Sequence, residues 1–185
     1  EASFKVTVRQ GSTEALQLRA DDNLMPLIES VVESRGGRPT LVLRWKRGSS
    51  VRHSSEIVAT VDAVKLRALS ASGSGAIESE AIRTDRLALA VAGSGDLRVR
   101  QLAADELEAS IAGSGDVRAG GQAARVKLSI AGSGDADLAA LTADEVKVSI
   151  AGSGDASVTA NQALTVSIAG SGDVRYGGAV TAVKT

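Results

Sequence analysis

Aromatic rings, proline and cysteine are scarce or missing in this sequence of 185 residues: Phe4, Trp45 and Tyr176 are the only rings, Pro26 and Pro39 the only prolines, and cysteine does not occur. The lack of cysteine removes disulfides, thiolate metal sites and cysteine nucleophiles together, and says little about compartment, since oxidising and reducing ones both tolerate thiol-free chains. No apolar run of about 18 residues occurs, so no segment could cross a bilayer as a helix. Charge of one sign is also lacking. Lys+Arg of 21 against Asp+Glu of 22 leaves a net −1, so no global field draws in nucleic acid or an anionic membrane. The chain opens on a polar segment, and any export signal has been removed, was never present, or lies outside it. What is plentiful is aliphatic bulk (43% hydrophobic residues) and glycine (20 residues), enough to build a core and to exclude disorder as the main state.

The strongest positive signal is an internal repeat. Gly-Ser-Gly begins at Gly73, Gly93, Gly113, Gly132, Gly152 and Gly170, with spacings of 20, 20, 19, 20 and 18 residues. The second glycines are Gly75, Gly95, Gly115, Gly134, Gly154 and Gly172. Five copies continue with Asp96, Asp116, Asp135, Asp155 and Asp173, whereas the first has Ala76 in that place. Before each corner runs an alternating segment, such as Val126-Lys-Leu-Ser-Ile130 or Val146-Lys-Val-Ser-Ile150, and its period of two with β-branched residues means strand. A second alternation follows the corner, as in Leu97-Arg-Val99. A third apolar stretch surrounds Ile82, Leu102 and Leu141, each followed three residues later by Asp85, Asp105 or Asp144. One period therefore holds up to three strands and their corners.

About 20 residues are too few for a helix-plus-strand crossover of about 30, but suffice for one coil of a β-solenoid, in which like positions stack in columns roughly 4.8 Å apart. Helical repeats are disfavoured because the recurring glycines would break any helix longer than about four turns. Glycine suits a bend that requires positive φ, and an aspartate after the bend can accept bonds from nearby backbone N–H groups. A narrow three-sided interior needs small branched columns, which accounts for the absence of rings from residue 46 to residue 175. Proline is absent after Pro39, as strands flanked on both sides require. The expected fold is all-β: a single-stranded parallel β-helix of about 20 residues per coil, one domain over 1–185, with coils over 61–185 and a strand-rich N-terminal cap over 1–60.

In that cap Phe4–Arg9 and Leu16–Ala20 alternate as strands, with a turn at Gln10-Gly-Ser12. Asp21-Asp-Asn23 offers an N-cap for a short helical turn through Leu24-Met-Pro-Leu27. Strands around Ile28–Glu33 and Thr40–Trp45, joined at Gly36-Gly37, follow in one reading; a continuous amphipathic helix from Leu24 to Glu33 is the other. Residues 47–55 read as an exposed loop. A solenoid end exposes unpaired strand edges unless something covers it. The bulky N-terminal segment would cover one end. After Gly177-Gly178 no seventh motif occurs, which leaves the other end frayed, covered by a partner chain, or continued in a longer protein.

The opening strand pair, the Ala20-Asp-Asp-Asn-Leu24 element, the β segment ending at Trp45 and the repeated Ser-Ile-Ala-Gly-Ser-Gly-Asp together resemble the bacterial family described as the putative auto-transporter adhesin, head GIN domain. The resemblance covers essentially the whole chain; Ala76 departs from its pattern. It implies a right-handed β-helix, exported past the inner membrane to an extracytoplasmic location, with no agreed activity.

For chemistry, a serine nucleophile needs a base within reach. His53 is the single histidine, in the expected loop, where a solvated residue is the plainer explanation. The motif serines Ser74, Ser94, Ser114, Ser133, Ser153 and Ser171 recur once per coil, as a corner needs and one active site does not. A column of carboxylates could hold cations, but the calcium-binding solenoid repeat has a nine-residue period, which favours backbone-capping aspartates over calcium. Sugar-processing sites want aromatic platforms and a placed carboxylate pair; the repeats have no ring except Tyr176, and Glu108, Asp137 and Glu145 read as a solvated face. No catalytic, cofactor-binding or metal residue is assigned. Ser70, Ser110, Ser129, Ser149 and Ser167 each lie three residues before a motif's first glycine, with Ala90 in the remaining copy. They predict an outward ladder of small groups on a flat face that could dock a partner surface, including a second copy of the chain. The functional expectation is a non-catalytic interaction or adhesion module for a protein or cell-surface glycan, without cofactor; the alternative is a carbohydrate-binding or polysaccharide-processing β-helix.

Overall fold

The computed structural model describes residues 4–49 and 57–184; His53 and most of the 47–55 loop lie outside the described residues. In chain order the strands are β1 (Phe4–Gln10), β2 (Ala15–Arg19), β3 (Ile28–Arg35), β4 (Arg38–Trp45), β5 (Ile57–Ala63), β6 (Ala68–Gly73), β7 (Ala76–Gly93), β8 (Asp96–Gly113), β9 (Val117–Gly132), β10 (Ala136–Gly152), β11 (Ala156–Gly170), β12 (Val174–Gly177) and β13 (Ala182–Lys184). The chain is a β-solenoid of about six turns. Each coil from β7 to β11 is a single bent strand of 15 to 18 residues, interrupted only at the glycine corner. Within it, three paired runs stack on the coils above and below, all parallel. We call them the first run (up to the corner), the second run (just after it) and the third run.

In-register stacking turns the sequence alternation into buried columns. Val91, Ile111, Ile130, Ile150 and Ile168 align in one; Leu87, Leu107, Val126, Val146 and Leu164 in another. The members from Val91 to Ile150 in the first, and all of the second, are buried. The columns are aliphatic because a Cβ-branched or leucine side chain fills a coil interior that a ring would overfill.

The uneven repeat spacing has a local cause. Between β8 and β9 the register slips from Val99↔Ala119 to Leu102↔Gly121, so the residue missing from the 19-residue repeat is lost at the bend between second and third runs. The 18-residue repeat likewise loses residues at the β11 counterpart of this bend, between Leu138 and Thr142, and regains one between Ala143 and Glu145. The runs themselves keep register, because a one-residue slip there would turn every inward side chain outward.

The N-terminal segment is threaded into the sheet rather than laid over its end. Strand β1 lies between β5 and β7, parallel to both, and β2 closes the edge antiparallel to β5; the boundary expected at residue 60 falls inside β5. The third run of β7 is finished by one side chain: the Gln10 amide accepts the Arg83 N–H at 2.7 Å and donates to the Arg83 carbonyl at 3.0 Å, standing in for a peptide group of a neighbouring strand. A separate small core joins Leu24, Ile28 and Ile57 with Phe4, Leu18 and Trp45, the two rings meeting at 5.5 Å. Of the two readings for 24–33, the turn-and-strand one is found: Met25–Leu27 is a single 3₁₀ turn and β3 starts at Ile28. The expected side-chain N-cap is corrected. No side chain caps the turn; the Asp21 carbonyl accepts the Leu24 and Met25 N–H groups instead, which satisfies so short a turn because Pro26 has no N–H to place. Strands β3 and β4 form a two-stranded arm paired only to each other. At the other end β12 and β13 continue the second and first runs of β11, so the chain after Gly177 follows the coil before it.

Two outcomes test this packing. A Cβ on Gly134 would collide with the Gly115 carbonyl oxygen and sit 2.8 Å from Ile111 Cγ2, whereas one on Gly11 meets nothing within 4 Å. Gly134→Ala is therefore expected to cost about 2–4 kcal/mol in a denaturant titration, and Gly11→Ala less than about 0.5. Ser79 occupies the inward column between Val8 and Val99, 2% exposed with its hydroxyl unbonded. Ser79→Val, completing that column, should raise stability by about 1 kcal/mol, read as a higher melting temperature.

Candidate functional site

The glycine corner is built from two different demands. The first glycine of each motif has positive φ, from +78° at Gly73 to +144° at Gly170, a region costly for residues with a Cβ. The second has ordinary φ, but from Gly95 onward its missing Cβ is the space occupied by the carbonyl of the equivalent glycine one coil earlier. Successive corners are in backbone contact, and each motif serine N–H from Ser94 to Ser171 donates to the first glycine's carbonyl of the previous coil at 2.8–2.9 Å.

The aspartates complete this corner across coils. Asp96 Oδ1 accepts the N–H of Asp116 at 3.3 Å, Asp116 that of Asp135 at 3.2 Å, Asp135 that of Asp155 at 2.8 Å, and Asp155 that of Asp173 at 2.9 Å. Where Ala76 takes the place of aspartate, the Asp96 N–H turns to the Gly75 carbonyl at 3.1 Å. Arg118 also pairs with Asp116 at 3.0 Å. Among the described residues no three acidic or histidine side chains converge on a point that could hold a metal ion.

On the outer side of the first run, Ser70, Ala90, Ser110, Ser129, Ser149 and Ser167 stand in register on successive coils. Beside them run Ser72, Ala92, Ala112, Ala131, Ala151 and Ala169. The serines are all exposed. The result is a flat strip, two residues wide and six coils long, without charge or bulk. Its border is charged: Glu106, 8% exposed at its side chain, takes Arg86 at 2.5 Å from the coil before and Lys127 at 3.1 Å from the coil after. The Lys127 hydrogen bond, against the opposing effect of burial and with help from Arg86, holds the Glu106 carboxyl below its ordinary 4.5. Alternation gave no sign of this bridge. Arg86 stands directly beside Glu106 in register, but Lys127 reaches it diagonally from the position opposite Glu108, a relation visible only once the register is fixed.

A second surface lies where the third run turns into the next first run. There an open trough of about 790 Å³ crosses the coils. Its polar rim includes Asp85, Asp105, Thr142 and Asp144, with Arg83 at one end; its lining is made of small residues, among them Ala104, Gly121 and Ala124. Gly121 falls in the register position held by the buried Leu102 and Leu141 on either side, and Ala124 interrupts the aspartates along the rim. The carboxylates of Asp85, Asp105 and Asp144 form no ion pair or hydrogen bond among the described residues. Glu108, Asp137 and Glu145 are exposed and do not converge with them.

Compared with known proteins, the chain matches the family model described as putative auto-transporter adhesin, head GIN domain, over residues 1–179. Solved structures with this architecture include a putative adhesin from Bacteroides fragilis NCTC 9343, 25% identical with a TM-score of 0.92 over all of this chain and 84% of that one. A putative adhesin from Parabacteroides distasonis ATCC 8503 is 24% identical, with a TM-score of 0.75 over all of this chain and 87% of that one. A putative lipid binding protein from the same organism, also 24% identical, gives 0.69 over all of this chain and 89% of that one. The last two share the fold. No functionally curated protein matches the chain.

Because Glu106 is held below its ordinary value, its ionised form is favoured in the folded state, and the stabilisation is complete above about pH 4.5 and is lost as pH falls through the lowered value. The melting temperature of the wild type should exceed that of Glu106→Gln by a constant margin near neutrality, and the margin should shrink below about pH 4.5.

Proposed function

We propose that this chain, which belongs to the putative auto-transporter adhesin, head GIN domain family, is a rigid, non-catalytic adhesion module that works outside the inner membrane and presents its flat serine and alanine strip to a partner surface. The observation that carries this reading is the strip itself: six coils in register, free of charge and of bulk, on a scaffold whose every coil is pinned to the next. A surface of this kind docks by close approach of two flat faces, and small side chains lose little rotamer freedom on burial. The partner classes it fits are a protein surface or a cell-surface glycan, reached without a cofactor. Among the described residues no helix is long and apolar enough to cross a membrane.

The competing reading is a carbohydrate-active β-helix. A general acid in such an enzyme needs a raised carboxyl; Glu33 and Glu106 are both pushed down by cationic partners, and the trough carries no ring on which a sugar could stack.

Replacing Ser129 and Ser149 with arginine places two bulky charges in mid-strip without touching the core. Beads carrying the wild-type protein should be retained on cells or on a glycan array, and beads carrying the double variant should lose at least about tenfold of that retention at an unchanged melting temperature. Equal retention of the two would remove the strip as the binding face. Turnover of acidic polysaccharides by the wild type would instead establish the enzymatic reading.

A further inference from the structure

The β3–β4 arm and the trough are chemical opposites. Between residues 24 and 49 the chain carries five cations (Arg35, Arg38, Arg44, Lys46 and Arg47) against Glu29 and Glu33, a net +3, which leaves −4 on the rest of a chain whose total is −1. Glu29 and Glu33 are both held by Arg44, at 2.7 and 2.6 Å, on one face of the arm. The opposite face is apolar and ends uncovered: Val32, directly paired with Leu41, is 70% exposed, and Leu41 is 37% exposed. At the tip Arg35 stands opposite Arg38 across the Gly36-Gly37 turn. Arg35 has only a solvent-exposed pair with Glu33, the kind of pair that contributes little and exchanges readily. The trough offers the reverse, small apolar residues beneath and Asp85, Asp105 and Asp144 on its rim. Across the missing carboxylate at Ala124, Asp105 and Asp144 lie two coil steps apart, about 9.6 Å along the stack. Two arginines on adjacent strands, about 5 Å apart at their backbones and free to splay, span that interval.

We propose that the arm of one copy docks by its tip in the trough of a second copy, with Arg35 and Arg38, which share one face of the arm, meeting Asp105 and Asp144 on the trough's rim. The second copy is the occupant because both halves of the complementarity are on this chain, in sign and in spacing. Arm and trough are different surfaces, so the contact is heterologous and each copy keeps one free arm and one free trough unless the arrangement closes into a ring. Chain thereby joins chain while the serine and alanine strip remains available.

The test is a charge exchange followed by sedimentation velocity. At about 0.02 M salt the wild type should self-associate as concentration rises to about 100 µM, its weight-average mass exceeding that of one chain by at least about 1.5-fold, and about 0.5 M salt should abolish this by screening. The double variants R35E/R38E and D105K/D144K should each stay monomeric, because arm and trough then carry the same sign. Mixed one to one they should associate again, since each offers what the other lacks. All four positions are exposed, and unchanged melting curves for the variants would exclude misfolding. A wild type that remains monomeric at about 100 µM in low salt, or association that survives either double variant, overturns the proposal. So does failure of the mixture to associate. Flotation of the protein with phosphatidylglycerol vesicles that R35E/R38E alone abolishes, in a wild type that stays monomeric, would assign the arm to an anionic membrane instead. A loss of adhesion in the serine-strip variant with self-association intact would leave this inference standing, so the two readings fail separately.

Discussion

Everything in this molecule depends on how closely one coil can approach the next at the glycine corner. A parallel ladder brings backbones to about 4.8 Å, and at the corner the chain must turn sharply without losing that distance. The solution is a column with no side chains. The first glycine supplies positive φ, and the second leaves room for the carbonyl of the preceding coil. The aspartate then accepts an N–H from the next coil that the turn has left without a carbonyl. Because each corner uses the corner before it, the motif has to recur on every coil, and a single coil has nothing to lean on.

Variation is tolerated where the ladder is already interrupted. The 19- and 18-residue repeats lose residues at the bend between second and third runs, leaving the inward columns of the first run undisturbed. The trough opens beside that bend, where the short repeat places Gly121 between two buried leucines. The concave surface thus lies beside the bends that slip, while the first run, which never slips, stays flat. Regularity and irregularity of one repeat yield the two surfaces on which a functional reading can stand.

Much of this was legible beforehand, for physical reasons. Period-two alternation and glycine spacing can be satisfied together only by stacked coils, and once Ser110, Ser129, Ser149 and Ser167 hold one position in the repeat, their exposure on one face follows from the pleat. The Asp21-to-Asn23 cap was read wrongly because capping propensity presumes a helix with several orphan N–H groups, and one 3₁₀ turn closed by a carbonyl has too few. Gln10 gave no sign at all. A glutamine acting as a substitute peptide group depends on a strand edge 73 residues away in sequence, and no local pattern encodes that.

By itself the sequence determined the coil, its corners, its narrow aliphatic interior and the absence of rings and proline from the coils β7 to β11, because these are set by backbone sterics acting on residues close together in the chain. Only the tertiary structure decided how β1 enters the sheet between β5 and β7, which cations flank Glu106, and where the trough opens opposite in sign to the β3–β4 arm. Those features join residues one or more coils apart, and register between distant strands is fixed by the packing of the whole stack rather than by any segment within it.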